Sequence, residues 1–253
     1  MANTKIPVEL SSTPSIVDNG DATAITIDSS ELVGIGTTSP VTHLHLESSA
    51  ATQFRIRTTS SSSEPQMIMI DGAGDYFAMQ KVDKGMTFKP QGTVAMKIDD
   101  AGHVTKPLQS AFNVFSNSTQ SSISTGYTTV QMDAEVFDVN ADFDVSTYTF
   151  TAPVTGKYLL QAHVSIRELP LNAGWFLVGI LTSNGAYNFS RTTTPYDADF
   201  GGTLFTLPVT VVADMDANDT AYVRAYQYSG TAQTDIYGHS SNPYTYFSGY
   251  LLG

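Results

Sequence analysis

The sequence predicts an all-β protein in which a short-stranded β stalk is followed by a two-sheet sandwich or jelly roll. Three observations support this. No window of a dozen residues keeps an i, i+3, i+4, i+7 apolar pattern free of Gly, Pro or β-branched clusters. Twelve of 13 Tyr, 10 of 13 Phe and the single Trp follow Ser110, so the core-forming side chains are concentrated there. Strands with clean two-residue alternation also lie in this second part.

The first half predicts short strands separated by turns. The candidate strands are Ala24 to Ile27, His43 to Leu46, Phe54 to Arg57, Met67 to Ile70, Met86 to Phe88 and Ala95 to Ile98. An Ile-Asp pair ends a strand at residues 27–28, 70–71 and 98–99, at unequal intervals. We expect the Asp side chain to close each following turn, so the pattern is a recurrent strand-turn-strand and not a regular solenoid.

The first half lacks the material for a compact core of its own. Its apolar residues are mostly Val, Ile, Leu and Met in short patches among Ser, Thr, Gly and Asp. Strands this short cannot each bury a face alone, but three chains around an axis can bury them mutually. Residues 1–30, with Pro7, Pro14 and an Ile-Pro-Val-Glu-Leu patch, predict an extended segment that orders on a partner.

Cysteine content and charge exclude several classes of protein. There is no cysteine, so disulfides and Cys-based zinc sites are excluded. The start lacks a secretory signal and no run is apolar enough for a membrane span, so we expect a soluble protein outside the Sec pathway. The net charge is −12, and only 4 Lys/Arg face 12 Asp/Glu after Ser110. Without a basic stripe, a nucleic-acid partner is not expected.

The second half contains long strands with one apolar face. In residues 157–167 the side chains of Tyr158, Leu160 and Val164 point one way, whereas those of Gln161 and His163 point the other way. Residues 205–211 and 221–226 alternate in the same manner. About eight such strands with turns between them are typical of a sandwich or jelly roll.

Three segments of the second half resemble the C1q-like globular domain of the C1q and tumour necrosis factor superfamily. The first is FDVSTYTFTAPVTGKYLLQAHV at residues 143–164, in which Pro153 and Gly156 form the turn and Phe150 and Tyr158 enter the core. The others are the Asn-Gly, Gly-Gly and Asn-Asp pairs at 184–185, 201–202 and 218–219, and the ending FSGYLL at 247–252. This resemblance implies a trimeric jelly-roll knob over residues 111–253.

The first half resembles marine bacteriophage fibre proteins. The resemblance rests on the Met-Ala-Asn-Thr-Lys start and on VGIGTTSP at residues 33–40, preceded by AITIDSSEL. It implies a virion fibre with an attachment segment at 1–30, a trimeric β stalk at 31–110 and a knob at 111–253. Such a protein would be made in the host cytoplasm, released by lysis and displayed on the virion surface. Its partners would be itself, a virion head or tail protein, and a host surface glycan or protein.

The sequence is also consistent with other functions. The knob either binds a host receptor or only trimerises, as in a decoration fibre. A secreted C1q-like protein is disfavoured because signal peptide and Gly-X-Y repeat are both missing. No nucleophile elbow, phosphate loop or helical His pair is present, so we expect no enzyme. The alternative is a glycan depolymerase that uses an Asp/Glu pair, although no spacing selects one.

Candidate binding residues fall into two groups. In a C1q-like jelly roll both chain ends lie on one side, so loops at the opposite end would face the host. There, Arg191, Tyr196, Asp197, Asp199, Tyr237 and His239 combine aromatic rings with hydrogen-bonding groups suited to a sugar. Tyr222, Arg224 and Tyr226 form a stripe that would pack between protomers, or stack on sugars instead.

Two places have side chains suited to a metal ion. Asp214, Asp216 and Asp219 crowd one loop, which is either a calcium site or an acidic, solvated turn. His43 and His45 share one strand face, and threefold symmetry would gather six imidazoles if that face pointed inward. The competing face is Leu44 and Leu46, whose burial on the axis would turn the imidazoles outward.

Overall fold

The computed structural model describes residues 15–17, 23–49, 54–59, 64–193 and 204–253. The described residues form strands and turns and contain no helix, which confirms the all-β prediction. None of them therefore forms a helix suited to crossing a membrane. The chain divides into two compact units, residues 1–65 and 66–253.

The first unit contains one sheet with the order β1-β2-β3-β4. Its strands are β1 (Ser15–Val17), β2 (Thr23–Ile27), β3 (Val33–Ile35) and β4 (Leu44–Leu46). The VGIGTTSP segment begins as β3 and then turns back, so that β4 pairs with β3 in parallel. Gly36 has φ +78°, and a Cβ there would lie 2.1 Å from the carbonyl oxygen of Glu47. Only glycine fits this position.

The second unit begins with a five-stranded meander. Its strands, in order, are β5 (Gln66–Ile70), β6 (Tyr76–Val82), β7 (Gly85–Pro90), β8 (Met96–Ile98) and β9 (Val104–Thr105). The expected strand at 54–57 is wrong, because these residues pair with no other strand among the described residues and Phe54 is 69% exposed. Strand β6 was not predicted, since its apolar residues Phe77, Ala78 and Val82 do not alternate.

The expected Asp-closed turns are confirmed at all three places. The Oδ1 atom of Asp28 accepts hydrogen bonds from the N–H groups two and four residues later, at 2.8 and 3.0 Å. Asp71 and Asp99 likewise accept hydrogen bonds from the N–H groups two and four residues later, at distances of 2.9 to 3.0 Å. In each turn the Asp N–H also donates to the carbonyl four residues on. The three turns are therefore one local structure set by the Asp side chain.

The rest of the second unit is a sandwich of two six-stranded sheets with jelly-roll crossovers. The first sheet has the order β12-β10-β21-β15-β18, with β20 also paired to β15. Its strands are β10 (Ala111–Phe115), β12 (Ala134–Val139), β15 (Gly156–Arg167), β18 (Phe205–Met215), β20 (Asp235–Ile236) and β21 (Tyr246–Leu251). The FSGYLL ending supplies β21, as expected for a closing strand.

The second sheet has the order β13-β14-β19-β16-β17, with β11 also paired to β19. Its strands are β11 (Gly126–Thr129), β13 (Phe143–Asp144), β14 (Thr149–Thr151), β16 (Trp175–Thr182), β17 (Gly185–Thr192) and β19 (Thr220–Tyr228). The Pro153 and Gly156 turn joins β14 to β15, as the resemblance implied.

The core lies between the two sheets and is rich in aromatic rings. The predicted inward face of β15 is confirmed, since Tyr158, Leu160 and Val164 are fully buried. The ring of Phe112 lies 4.7 Å from that of Phe150 and 5.0 Å from that of Phe247. A Cβ on Gly249 would approach Phe112 to 2.3 Å, so this glycine makes room for the ring.

Candidate functional site

The outer surface of the second sheet has an aromatic face, which we define as Tyr127, Trp175, Leu177, Arg191, Arg224, Tyr226 and Tyr228. Strand alternation produces it, because Ala221, Val223 and Ala225 of β19 point into the core and the larger residues between them point out. Tyr222, Arg224 and Tyr226 therefore share one face, as the sequence predicts. Pairing of β11, β19, β16 and β17 aligns Tyr127, Tyr226, Leu177 and Arg191 in one row.

Rings and guanidinium groups contact one another along this aromatic face. Trp175 stacks between Tyr226 and Tyr228, with ring centroids 5.0 and 5.2 Å apart. Tyr127 meets Tyr226 edge-on at 4.5 Å. The guanidinium carbon of Arg191 lies 4.9 Å from the Trp175 ring, and that of Arg224 lies 3.7 Å from the Tyr127 ring. The rings and both arginines thus form one continuous surface of stacked and edge-on contacts.

The loop residues predicted to bind a receptor do not form one group in the described structure. Tyr196, Asp197 and Asp199 lie outside the described residues. Arg191 belongs to β17 and the aromatic face. Tyr237 instead lies beside the first sheet, where its N–H donates to the Ser165 carbonyl.

Tyr237 and His239 form a smaller cluster with Tyr244. The Tyr237 ring lies 5.2 Å from that of Tyr244 and 6.5 Å from that of His239. Arg167 stacks over Tyr237 at 5.1 Å while two of its nitrogens donate to Asp235 at 3.1 Å. The Arg167 charge is therefore already paired.

The three aspartates predicted for calcium make separate contacts. Asp214 forms an ion pair with Lys157 at 2.6 Å. Asp219 accepts hydrogen bonds from the Ser183 hydroxyl at 2.7 Å and from the Asp216 N–H at 2.8 Å, and the Ser183 bond is the main cause that lowers the pKa of Asp219. In the described part of the chain, His, Asp and Glu side chains do not gather in threes around any point suited to a metal. The Asp219 carboxylate organises the turn between β18 and β19.

Sequence reasoning missed two residues at the centre of the aromatic face, Tyr127 and Trp175. Tyr127 belongs to a four-residue strand, GYTT, that carries no apolar alternation. Trp175 is the first residue of β16. The pairing of β16 with β19 decides which side chains lie next to it on the sheet. The local sequence does not reveal that pairing. The sequence predicted Arg224, Tyr226 and Tyr228 as one stripe with Tyr222, and it placed Arg191 in a separate group of loop residues.

Comparison with known proteins gives a family and several similar folds. The C1q domain matches residues 111–252. The globular domain of zebrafish complement 1qA is 16% identical with a TM-score of 0.41, covering 57% of this chain and 98% of that one. Murine APRIL at 13% identity (TM-score 0.40, 57% and 99% covered) and the Eiger TNF of S. frugiperda at 11% (0.39, 57% and 94%) are also similar.

No curated protein sequence matches the chain. The C1q match spans the two-sheet sandwich and agrees with the segments at 143–164 and 247–252 on which the resemblance rests. The chain therefore belongs to the C1q domain family.

Proposed function

We propose that the chain is a non-enzymatic virion fibre protein of a bacteriophage, assembled as a homotrimer. Residues 1–30 attach it to the virion head or tail, residues 31–110 form the stalk, and residues 111–253 form a knob that binds a host surface receptor, a glycan. The fibre is displayed on the virion surface after synthesis in the host cytoplasm and release by lysis. The VGIGTTSP segment supports the phage assignment and the C1q domain supports a trimeric knob.

The observation that carries the proposal is an apolar face on the outside of the first sheet, defined as Phe137, Leu159, Val212 and Tyr250. Cross-strand pairing places Tyr250, Leu159 and Val212 in one row. Val212 is 54% exposed, Phe137 48% and Tyr250 46%. A sheet face that meets water is normally polar, so this face fits burial against other copies of the chain.

Two further features of this region favour a protein contact. A shallow pocket of about 270 Å³ lies on the apolar face between Phe137, Leu159 and Tyr250. Next to it, the side-chain oxygen of Asn113 is buried and accepts no hydrogen bond. A neighbouring protomer would fill the pocket and supply the missing donor.

The meander also leaves apolar side chains uncovered. All five residues of β5 are exposed, and Met69 and Ile70 reach 53% and 65%. A single chain thus carries an open apolar strand at one edge of this sheet. Further copies of the chain would bury the exposed apolar side chains of β5. This agrees with a fibre built from several chains.

The oligomeric state tests the proposal directly. Light scattering at micromolar concentration should give three chains per particle, and Val212→Glu should shift the protein towards monomer because it places a charge in the contact. Val154→Glu is the matched control, since it makes the same change at a 47% exposed position between β14 and β15. A wild-type monomer would contradict the proposal. If Tyr226→Glu dissociates the trimer and Val212→Glu does not, the Tyr222, Arg224 and Tyr226 stripe is the contact instead.

Receptor binding is tested with the full chain and whole host cells. We expect saturable adsorption of the trimer, weak at each site and strengthened by three sites on one particle. Electron microscopy of immunolabelled virions should show the chain at the particle surface. Labelled virions together with no adsorption to cells would indicate a decoration fibre.

A further inference from the structure

The basic residues of the C1q domain are distributed unevenly. Residues 111–253 contain four, Lys157, Arg167, Arg191 and Arg224, against 12 Asp and Glu. Lys157 is paired with Asp214 and Arg167 with Asp235. Among the described residues, Arg191 and Arg224 have no carboxylate partner, and both lie on the aromatic face. The two cations without an acidic partner are thus on one surface.

The strands that build this surface contain no acidic residue. Strands β11, β16, β17 and β19 hold none of the 12 Asp and Glu of the domain. A protein with net charge −12 repels anions over most of its surface. These four strands instead offer two positive charges that form no ion pair with any carboxylate of the described residues, which makes the aromatic face suited to an anion.

Stacking on aromatic rings preorganises the side chains of Arg191 and Arg224 for ligand binding. Stacking on Trp175 and Tyr127 fixes the guanidinium planes, so little side-chain freedom is lost when their N–H groups bind. The Nε atom of Arg224 is buried and has no hydrogen-bond acceptor. A buried N–H group is closed to a ligand in solution, so a carboxylate would be held by the other guanidinium N–H groups, whose planar geometry it matches best.

The rings between the arginines suit sugars. Tyr127 is 62% exposed and Tyr228 is 51% exposed, beside the stacked Trp175. Such rings stack on the apolar faces of pyranoses, and the Tyr hydroxyl groups remain free to bond sugar hydroxyls. The row from Tyr127 to Arg191 crosses four strands, a span of about 14 Å. A stretch of several sugars would therefore contact the rings and both arginines together.

We propose that the aromatic face binds a carboxylated polysaccharide, a chain of uronic-acid type, with sugar rings stacked on the exposed rings of Tyr127 and Tyr228 and carboxylates held by Arg191 and Arg224. This inference rests on the proposed receptor function and names the class of receptor. It assigns the face to the outside of the trimer, because the apolar face of the first sheet makes the contact between protomers. The proposed receptor-binding surface is therefore the outer face of the second sheet and not the loops that the sequence predicted.

The test measures binding of the full-length trimer to oligogalacturonate by calorimetry, with neutral dextran and dextran sulfate for comparison. Oligogalacturonate should bind and dextran should not. The double variant Arg191→Gln and Arg224→Gln should weaken binding by at least about tenfold, because two charge-assisted contacts are lost. Lys157→Gln is the matched control, since it removes a charge that is already paired on the other sheet, and it should bind as the wild type does.

The outcomes separate this inference from the proposed function. Unchanged binding by the double variant, or a double variant that no longer trimerises, would overturn the assignment of the face. So would dextran sulfate binding without oligogalacturonate binding. A trimer that adsorbs to host cells but ignores oligogalacturonate would reject the carboxylated ligand and leave the receptor function standing. Oligogalacturonate binding without adsorption to cells would support the site and reject the host-receptor function.

Discussion

Tyr158 combines two contributions to the stability of the sandwich core. Its ring is fully buried and lies 5.5 Å from that of Phe150, and its hydroxyl donates to the Val154 carbonyl at 2.7 Å. Tyr158→Ala should lower the free energy of unfolding by about 3 to 5 kcal/mol, because a close-packed core cannot refill the cavity. Tyr158→Phe should cost only about 1 kcal/mol, the hydrogen bond alone. Denaturant titration measures the free energy of unfolding of both variants. Equal decreases in Tyr158→Ala and Tyr158→Phe would show that the hydrogen bond, and not ring packing, makes the main contribution.

His163 makes stability depend on pH. Its ring stacks on Tyr246 at 4.7 Å and its Nε2 meets the Gln161 amide at 3.1 Å. Burial lowers the pKa of His163 below its usual value of 6.5, so the unfolded chain binds more protons than the folded one. Stability should therefore fall as the pH drops through 6.5 and below. His163→Gln should show a smaller fall between pH 7 and 5 in thermal unfolding, and an identical profile would contradict this role.

At the level of single elements, the Asp-closed turn recurs at Asp28, Asp71 and Asp99. The Asp99 carboxylate binds the N–H groups of Ala101 and His103, and its other oxygen lies 2.9 Å from the His103 ring. His103 is also the main cause that lowers the pKa of Asp99. Asp99→Ala should free both amides, so their hydrogen exchange should rise severalfold. Asp100→Ala is the neighbouring control, and equal exchange in both variants would show that the backbone alone forms the turn.

The same elements show where local pattern fails. Residues 54–57, FRIR, alternate in polarity as a strand does, yet they pair with nothing in the described structure. A strand exists only when a partner accepts its hydrogen bonds, and alternation does not provide one. The Asp turns could be predicted because donors and acceptor lie within five residues.

At the scale of the whole molecule, we expect residues 1–30 to be required for attachment of the chain to the virion. A chain that starts at Glu31 should still trimerise and adsorb to host cells, because the apolar face and the aromatic face both lie after Ser110. It should not assemble onto particles, since the proposed attachment segment at residues 1–30, which includes β1 and β2, is removed. Incorporation of the truncated chain into virions, measured by immunoblot of purified particles, would place the attachment site elsewhere.

The sequence alone determined the all-β class, the C1q resemblance, the Asp turns and the inward face of β15. Each depends on neighbours in the chain or on the two-residue period of a strand, which a sequence contains directly. Tertiary structure alone decided which outward residues meet. Tyr127 and Arg191 join Tyr226 through the pairing of β11, β19, β16 and β17, although residues 128–225 lie between Tyr127 and Tyr226 in the chain. Register between distant strands comes from packing of the whole core, and so the complete aromatic face could not be predicted from any local pattern.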